Sequence, residues 1–400
     1  MKIYRVGGSV RDELLGRPIA DRDFVVVGAT PDQMLARGFR PIGRDFPVFL
    51  HPETGEEYAL ARTERKRGRG HRGFSFHAAP DVTLEQDLAR RDLTINAMAR
   101  AVDGALIDPY GGEADLRAGI LRHVGPSFVE DPLRVLRVAR FAARLGFVVA
   151  PETEALLGAI ADGGELAALT PERIWQELAR ALMEARPSSF FVLLHRWGAL
   201  AQLLPEIDAL FAARLARTDQ EKHDPVAQRM RAVDHAASAG EPLAVRYAIL
   251  GCDLAPPPPV PRPGGQAAKN ERLAASLSRR VKAPVECRDL ARLAARYRQQ
   301  VGRAAELAPP TLLDLLLAVD ALRRPARLEQ LLRVCALDWS SRSGRTASDY
   351  QAAARLRGAR EVVRSVDAGA IARTGRQRDD LVRRIRAARL KALREWKKTP

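Results

Sequence analysis

The chain has only three cysteines, Cys252, Cys287 and Cys335, which stand far apart with no CxxC spacing. This excludes a disulfide framework and a cysteine zinc site, and each thiol reads as a small buried hydrophobe. Long apolar runs are missing too. No stretch approaches the ~18 consecutive apolar residues that span a bilayer, and the opening MKIYRVGG lacks the apolar core of a secretory signal. The expectation is a soluble, cytoplasmic protein. Acidic residues are in deficit: 49 Asp+Glu against 65 Lys+Arg leave a formal net charge of +16, which favours a polyanionic partner. Apolar residues, at 46% of the 400, are abundant enough for packed cores. Disorder throughout is excluded, and the length predicts two to four domains of roughly 100 to 200 residues each.

The positive surplus is unevenly spread. Residues 1–123 hold 19 basic and 18 acidic side chains, whereas residues 341–400 hold 17 and 6. Taken alone, the run from Arg373 to Lys398 reads as a solvated helix face, and it gains meaning only if the front of the chain handles nucleic acid. That front mixes strand-like runs (Ile3–Val6, Phe24–Val27, Val48–Leu50, Glu57–Ala61) with short helical stretches and many glycines, the pattern of an α+β domain. From Asp131 onward Ala/Leu/Arg patterns at helical spacing dominate, as in Ala155–Ile160 and Pro171–Glu184. Residues 255–265 read APPPPVPRPGG, which supports neither a helix nor a central strand and predicts a linker or exposed loop.

Two elements of the first domain carry chemistry. Gly7-Gly8-Ser9-Val10-Arg11-Asp12 follows a short strand and opens a helix. Two glycines let backbone N–H groups approach an anion, and the helix N-terminus adds its positive end. Arg11 sits poorly in that first turn unless it also faces an anion. About a dozen residues later, Asp21-Arg22-Asp23 leads into the apolar run Phe24–Val27, so both carboxylates share one face at the start of a strand. Two close acids repel unless a cation lies between them, and hard oxygen ligands at that spacing suit Mg²⁺ holding nucleotide phosphates. Together the two elements describe metal-assisted nucleotidyl transfer.

With these motifs in place, GGSVRDELLG, DRDFVVVG, RRDLTINA (Arg90–Ala97) and EDPLRVLRVARFAARLGF (Glu130–Phe147) resemble those of the class II tRNA nucleotidyltransferases, the CCA-adding enzymes. LTPERIWQEL (Leu169–Leu178) and LLPEIDALF (Leu203–Phe211) extend the likeness over about the first 210 residues. Bacterial poly(A) polymerases share the same head. The resemblance implies addition of C, C and A to tRNA 3′ ends from CTP and ATP, with Mg²⁺ and no template. It implies nucleotide contacts from Gly8, Arg11, Arg91, Arg137 and Arg140, and metal ligation by the catalytic Asp21 and Asp23. The expected fold is an α+β nucleotidyltransferase head (1–123) with a mixed sheet, followed by an all-α neck and body (124–212), a degenerate HD-like region (213–335) and a basic, tRNA-binding tail (336–400).

Arg134, Arg137, Arg140 and Arg144 are spaced 3, 3 and 4, which puts four guanidiniums on one helical face and leaves Leu133, Leu136 and Phe141 to pack elsewhere. Like charges this close to a phosphate cradle are explained by a bound nucleotide. Cytosine and adenine both present an amino donor beside a ring-nitrogen acceptor, and uracil and guanine present the reverse. A carboxylate next to a guanidinium therefore accepts C and A. Asp131 and Arg134, expected at i and i+3 of one helix, are that pair, and the family assigns these positions this role. The basic stretch Arg62–Gly73 reads as a surface loop; in the family this region assists the switch from C to A addition. Glu57 is a solvated strand residue or a third metal carboxylate, and Asp92 either orients Arg91 or simply pairs with it.

Some bacterial enzymes resembling this one carry a metal-dependent HD phosphohydrolase in the second half. Here VRYAILGCDL (Val245–Leu254) has Cys252 where the histidine of the His-Asp helix belongs. His223, Asp224, Asp234 and His235 do not restore the ligand pattern and read as surface residues. The expectation is a fold relic without that activity. Three alternatives remain: a poly(A) polymerase, a non-catalytic RNA-binding protein and an HD hydrolase.

Overall fold

The structure, a computed structural model, describes residues 1–19, 21–42, 48–66, 74–215, 224–256, 264–373 and 378–398. The chain divides into two compact units, Met1–Leu178 with Ser189–Leu203, and Ala179–Ser188 with Leu204–Pro400.

The first unit opens with β1 (Lys2–Val6), α1 (Gly8–Leu14), β2 (Asp23–Val27), α2 (Pro31–Ala36), β3 (Arg40–Ile42), β4 (Val48–Leu50), β5 (Glu57–Leu60), β6 (Thr63–Lys66) and β7 (Phe74–His77). It continues through α3 (Leu84–Ala89), β8 (Ala99–Ala101), β9 (Leu106–Ile107), α4 (Gly112–Ala118), β10 (Ile120–Leu121), α5 (Leu133–Leu145), β11 (Val148–Val149) and α6 (Pro151–Asp162) into α7 (Pro171–Met183). Seven strands form one sheet in the order β3-β4-β5-β2-β1-β8-β9. Only β2 and β5 run parallel, so the sheet is mixed as expected. Alternation along β2 serves both faces: Val25 joins Val6, Leu88 and Ala99 in one buried cluster, and Val26 joins Met34, Phe49 and Leu60 in the other.

Two short features depart from the sequence reading. Thr63–Lys66, expected within a loop, is a strand paired antiparallel with Phe74–His77; Arg67–Gly73 lie outside the described residues. Val148–Val149 pairs in parallel with Ile120–Leu121 within the stretch expected to be purely helical.

Among the described residues the rest is helical: α8 (Pro187–Arg196), α9 (Ala199–Leu203), α10 (Pro205–Leu215), α11 (Pro225–Ser238), α12 (Leu243–Gly251), α13 (Gly265–Arg280), α14 (Val285–Gly302), α15 (Pro309–Ala318), α16 (Pro325–Ser343), α17 (Gln351–Ser365), α18 (Ala368–Arg373) and α19 (Arg378–Lys398). No helix among the described residues is long and apolar enough to cross a membrane. In the second unit α12 is buried from Ala244 to Gly251, its one charged residue, Arg246, donating to the main-chain oxygens of Leu182, Ala237 and Glu241. Asp224 caps α11, and Asp234 accepts hydrogen bonds from the Ser188 amide and hydroxyl, so both have structural partners. His223 and most of the proline-rich segment lie outside the described residues. The terminal helix is held by Arg355 over the Trp396 ring at 4.0 Å, by Lys397 Nζ donating to Leu307 O at 2.9 Å, and by an Arg386–Asp314 pair at 2.7 Å.

Candidate nucleotide and metal site

β1 delivers the chain to Gly7, whose φ of 71° and ψ of −132° start α1 in a conformation that only glycine adopts without strain. A Cβ there would also meet Arg91 Nη1 at 2.7 Å, whereas one at Gly8 would only touch Arg11 Nη2 at 3.5 Å. The two glycines therefore differ in kind. Gly7→Ala should lower thermal stability by about 1–3 kcal/mol. Gly8→Ala should keep the wild-type melting temperature and raise the KM for nucleotide, because the only thing its Cβ would obstruct is an approaching substrate. Equal losses of stability in the two variants would contradict this distinction.

The antiparallel register sets Asp23 opposite Val6, one residue from the Gly7 turn, and the parallel register sets it opposite Glu57. Asp21 and Asp23 are both exposed. Partial desolvation of the carboxyl by the surrounding protein nevertheless pushes Asp23 above its usual range; the Arg91 charge opposes this and the Asp21 charge adds to it. A divalent cation fits this donor set, two hard oxygen ligands whose mutual repulsion it would relieve. Among the described residues no group of three or more His, Cys, Asp or Glu could hold a metal, so Glu57 completes no such cluster despite its register.

Beneath the carboxylates lies a buried charged layer that the sequence did not reveal. Arg11 is almost wholly buried, donating from Nε to Asp12 Oδ1 at 2.9 Å and from Nη1 to Asn96 Oδ1 at 2.6 Å. Its expected anion is thus supplied in this structure by Asp12. Asn96 Nδ2 donates to Asp92 Oδ1 at 3.0 Å, so one amide ties Arg11 to Asp92. Arg137 grips Asp92 Oδ2 with Nε at 2.7 Å and Nη2 at 2.6 Å. Arg140 pairs with Glu177 of α7 at 2.6 Å, and Arg144 with Asp12 at 2.8 Å.

The four arginines do line one face of α5, yet carboxylates from α1, α7 and the segment after α3 pair with Arg144, Arg140 and Arg137, and main-chain oxygens take Arg134, so a nucleotide is not needed to explain them. Phe141 does not pack elsewhere either: the guanidiniums of Arg11, Arg137 and Arg140 lie 5.1, 5.7 and 4.6 Å from its ring centre. The Arg91-Asp92 reading is also corrected. Arg91 Nη2 reaches Asp87 Oδ2 at 3.5 Å and Nη1 donates to Asn96 O at 3.4 Å, whereas Asp92 serves Arg137.

Asp131 and Arg134 do not share a helix. Pro132 disfavours a helical conformation at the preceding residue, Asp131 is extended (φ −112°, ψ 105°), and α5 begins at Leu133. The Asp131 carboxylate accepts from the Leu133 amide at 3.1 Å and from Arg173 Nη2 at 2.9 Å. Arg134 donates to Ser127 O at 2.8 Å and to Arg90 O at 2.5 Å. Sequence reasoning gave no role to Asp12, Asp87, Asn96, Arg173 or Glu177. Only Asp87 left a local signal, standing three and four residues before Arg90 and Arg91.

In the second unit the Cys252-Asp253 pair sits among arginines. Arg229 Nη1 donates to Cys252 Sγ at 3.0 Å and lies 3.1 Å from Asp338 Oδ1. Arg298 bridges Asp338 at 2.9 Å and Asp253 at 2.6 Å. Guanidiniums thus hold the carboxylates that a metal would need.

The sheet, the Gly7 turn and the paired aspartates define a nucleotidyltransferase class of head. Residues 3–122 match the model of the poly A polymerase head domain, and residues 146–211 match that of a probable RNA and SrmB-binding site of polymerase A. Over 376 residues the chain is 55% identical to the multifunctional CCA protein of Nitrosomonas europaea, covering 93% of this chain and 91% of that one. It is 52% identical over 405 residues to the multifunctional CCA protein of Chromobacterium violaceum, covering 99% and 100%. A Bacillus stearothermophilus CCA-adding enzyme, solved in complex with CTP, shares the fold, with a TM-score of 0.71 and 24% identity over 98% of this chain and 89% of that one. The chain belongs to the multifunctional CCA protein family.

Proposed function

We propose that this protein builds and repairs the 3′-terminal CCA of tRNA, using CTP and ATP without a template. The observation that carries the reading is the exposed Asp21/Asp23 pair placed beside the Gly7 turn, in a chain about half identical to multifunctional CCA proteins over nearly its full length. In the reaction the tRNA 3′-hydroxyl oxygen bonds to the nucleotide α-phosphorus, the α–β phosphoanhydride bond breaks, and pyrophosphate leaves with its electron pair.

Asp21 and Asp23 would hold Mg²⁺, which when bound lowers the pKa of the attacking hydroxyl and offsets charge on the triphosphate. The first-turn amides of α1, at Gly8 and Ser9, lack intrahelical acceptors by geometry and would receive phosphate oxygens. Arg91, close enough for its charge to act on Asp23, would neutralise phosphate. Arg11, Arg137 and Arg140 support this surface from below, each already fixed by a carboxylate. Asp131 would accept the amino group of C or A while Arg134 donates to the ring nitrogen, a pairing that requires Arg134 to turn from its main-chain acceptors. We assign chemistry to residues 1–123, base choice and RNA contact to 124–212, and the basic tail, 336–400, to tRNA phosphates.

The deciding experiment incubates the protein with tRNA lacking its 3′ end, Mg²⁺ and each NTP separately. Incorporation of C, C and one A is expected; unlimited A addition would instead make it a poly(A) polymerase, and no incorporation would leave an RNA binder. Asp131→Ala and Arg134→Ala should admit UTP and GTP, and an unchanged nucleotide preference in both would remove the base-reading role. Residues 213–335 should have no phosphohydrolase activity, because guanidiniums already hold Asp253 and Asp338 and burial raises the Cys252 thiol, keeping it protonated. Metal-dependent turnover of a 2′,3′-cyclic phosphate with Ni²⁺ or Mg²⁺ would refute that.

A further inference from the structure

On the face of the sheet turned away from Asp23, three charged side chains form a cluster that no role described above uses. Alternation along β1 sends Tyr4 and Val6 to the face shared with Val25, and Ile3 and Arg5 to the face shared with Phe24. Arg5 stands directly across from Arg100 of β8, and two like charges at opposite positions of an antiparallel pair repel. Glu13, in the last turn of α1, is the carboxylate between them. Arg5 Nη2 pairs with its Oε2, and Arg100 Nη2 lies 2.8 Å from its Oε1. Arg100 Nη1 donates to Gly104 O at 2.9 Å.

Stability alone is a weak reason for such a triad. One carboxylate faces two guanidiniums, the Nε atoms of Arg5 and Arg100 are buried without an acceptor, and ion pairs partly removed from water are commonly replaced by apolar groups at no loss. What the triad does fix is geometry. Arg5 lies two residues before Gly7 and Glu13 five after Gly8, so their ion pair straps the strand to the helix across the glycine turn. Because Glu13 also takes Arg100, the strap fastens α1 to two adjacent strands. The other flank of the helix is tied separately, by Arg11 to Asn96 and by Asp12 to Arg144. Three consecutive residues thus hold a short helix from both sides, and they do so beyond a glycine whose own backbone imposes little restraint on the angle.

We infer that Glu13 is a positioning residue for the nucleotide: through Arg5 and Arg100 it fixes the tilt of α1 on the sheet, and with it the direction in which the Gly7–Gly8 turn faces the triphosphate. This rests on the reading that the turn receives the nucleotide. It adds a side chain that touches no substrate and acts from the far face of the sheet.

Calorimetric titration of the full-length protein with CTP and Mg²⁺, paired with steady-state C addition, tests the inference. Glu13→Gln should raise the Kd and KM for CTP about fivefold while kcat stays within about twofold of wild type, because a misdirected turn weakens ground-state and transition-state binding alike. Exchanging the charges, Arg5→Glu with Glu13→Arg, again sets one carboxylate between two guanidiniums and should return both constants toward wild type. A pair that serves only stability would lower the melting temperature of Glu13→Gln and leave Kd and KM unchanged well below that temperature. That result overturns the inference, as does a charge exchange that recovers stability but keeps the raised KM. Failure of the wild-type protein to bind CTP is a distinct outcome, which removes the nucleotide-site reading and this inference with it.

Discussion

Replacing Asp21 or Asp23 with alanine should lower C and A incorporation into tRNA lacking its 3′ end by roughly 10³-fold or more, the rate equivalent of the several kcal/mol that metal-assisted charge stabilisation supplies. Thermal stability should hold, because both side chains are exposed and neither is a core element. For Asp23 the sign can be worked out. Although the residue is exposed, the surrounding protein partly desolvates its carboxyl and raises its pKa above the usual range, so the ionised form is slightly disfavoured in the folded chain and its contribution to stability falls as pH rises through that value. Asp23→Asn should therefore melt at or above the wild-type temperature while remaining inactive. A variant that loses activity and melting temperature together would make Asp23 a structural residue, and a variant that retains activity would remove the metal-site reading.

The opposite combination is expected at Asp92, where substitution should damage the fold first. This carboxylate is nearly fully buried and held at two points by Arg137. Asp92→Asn leaves the half-buried Arg137 against a neutral amide and should cost about 1.5–3 kcal/mol of stability, read from urea unfolding at pH 7. Its folded pKa is strongly lowered: burial pushes it up, but Arg137, the Asn96 amide and Arg134 together pull it down further. The stabilisation is therefore complete above the unfolded-chain value near ~3.9 and is lost as pH falls from there toward the folded value. Asp87 and Asp338 are lowered in the same direction, opposed by burial and driven by neighbouring arginines. The wild-type protein should lose stability steeply below about pH 4, and the Asp92→Asn variant less steeply. Parallel acid limbs in the two proteins would show that the pair carries no linkage.

These contrasts mark what the sequence could and could not disclose. Asp21 and Asp23 were legible because their spacing, their entry into an apolar run and the Gly-Gly turn upstream are all local. The partners of the α5 arginines were not. Asp92, Glu177 and Asp12 lie 45, 37 and 132 residues from Arg137, Arg140 and Arg144, and helical periodicity cannot show what packs against a face. It gave the face correctly and its charge balance incorrectly. The main strands Lys2–Val6 and Asp23–Val27 announced themselves through β-branched and aromatic runs. Thr63–Lys66 did not, because TERK has no apolar alternation and its strand character comes from pairing with Phe74–His77. The helix break at Asp131 could have been read from Pro132.

Asn96, which touches both Arg11 and Asp92, and Arg137, which touches Asp92 at 2.6 Å and approaches Glu177 at 4.0 Å, make the layer under the aspartates a shared structure in which each member has more than one dependent. Substitutions here should be strongly epistatic: once one partner is lost, losing the next costs less, so paired changes are milder than the sum of single ones. Natural variation across this layer is then expected to move in linked pairs, a charge and its counter-charge replaced together, while the exposed Asp21 and Asp23 above it stay fixed however the layer is rebuilt.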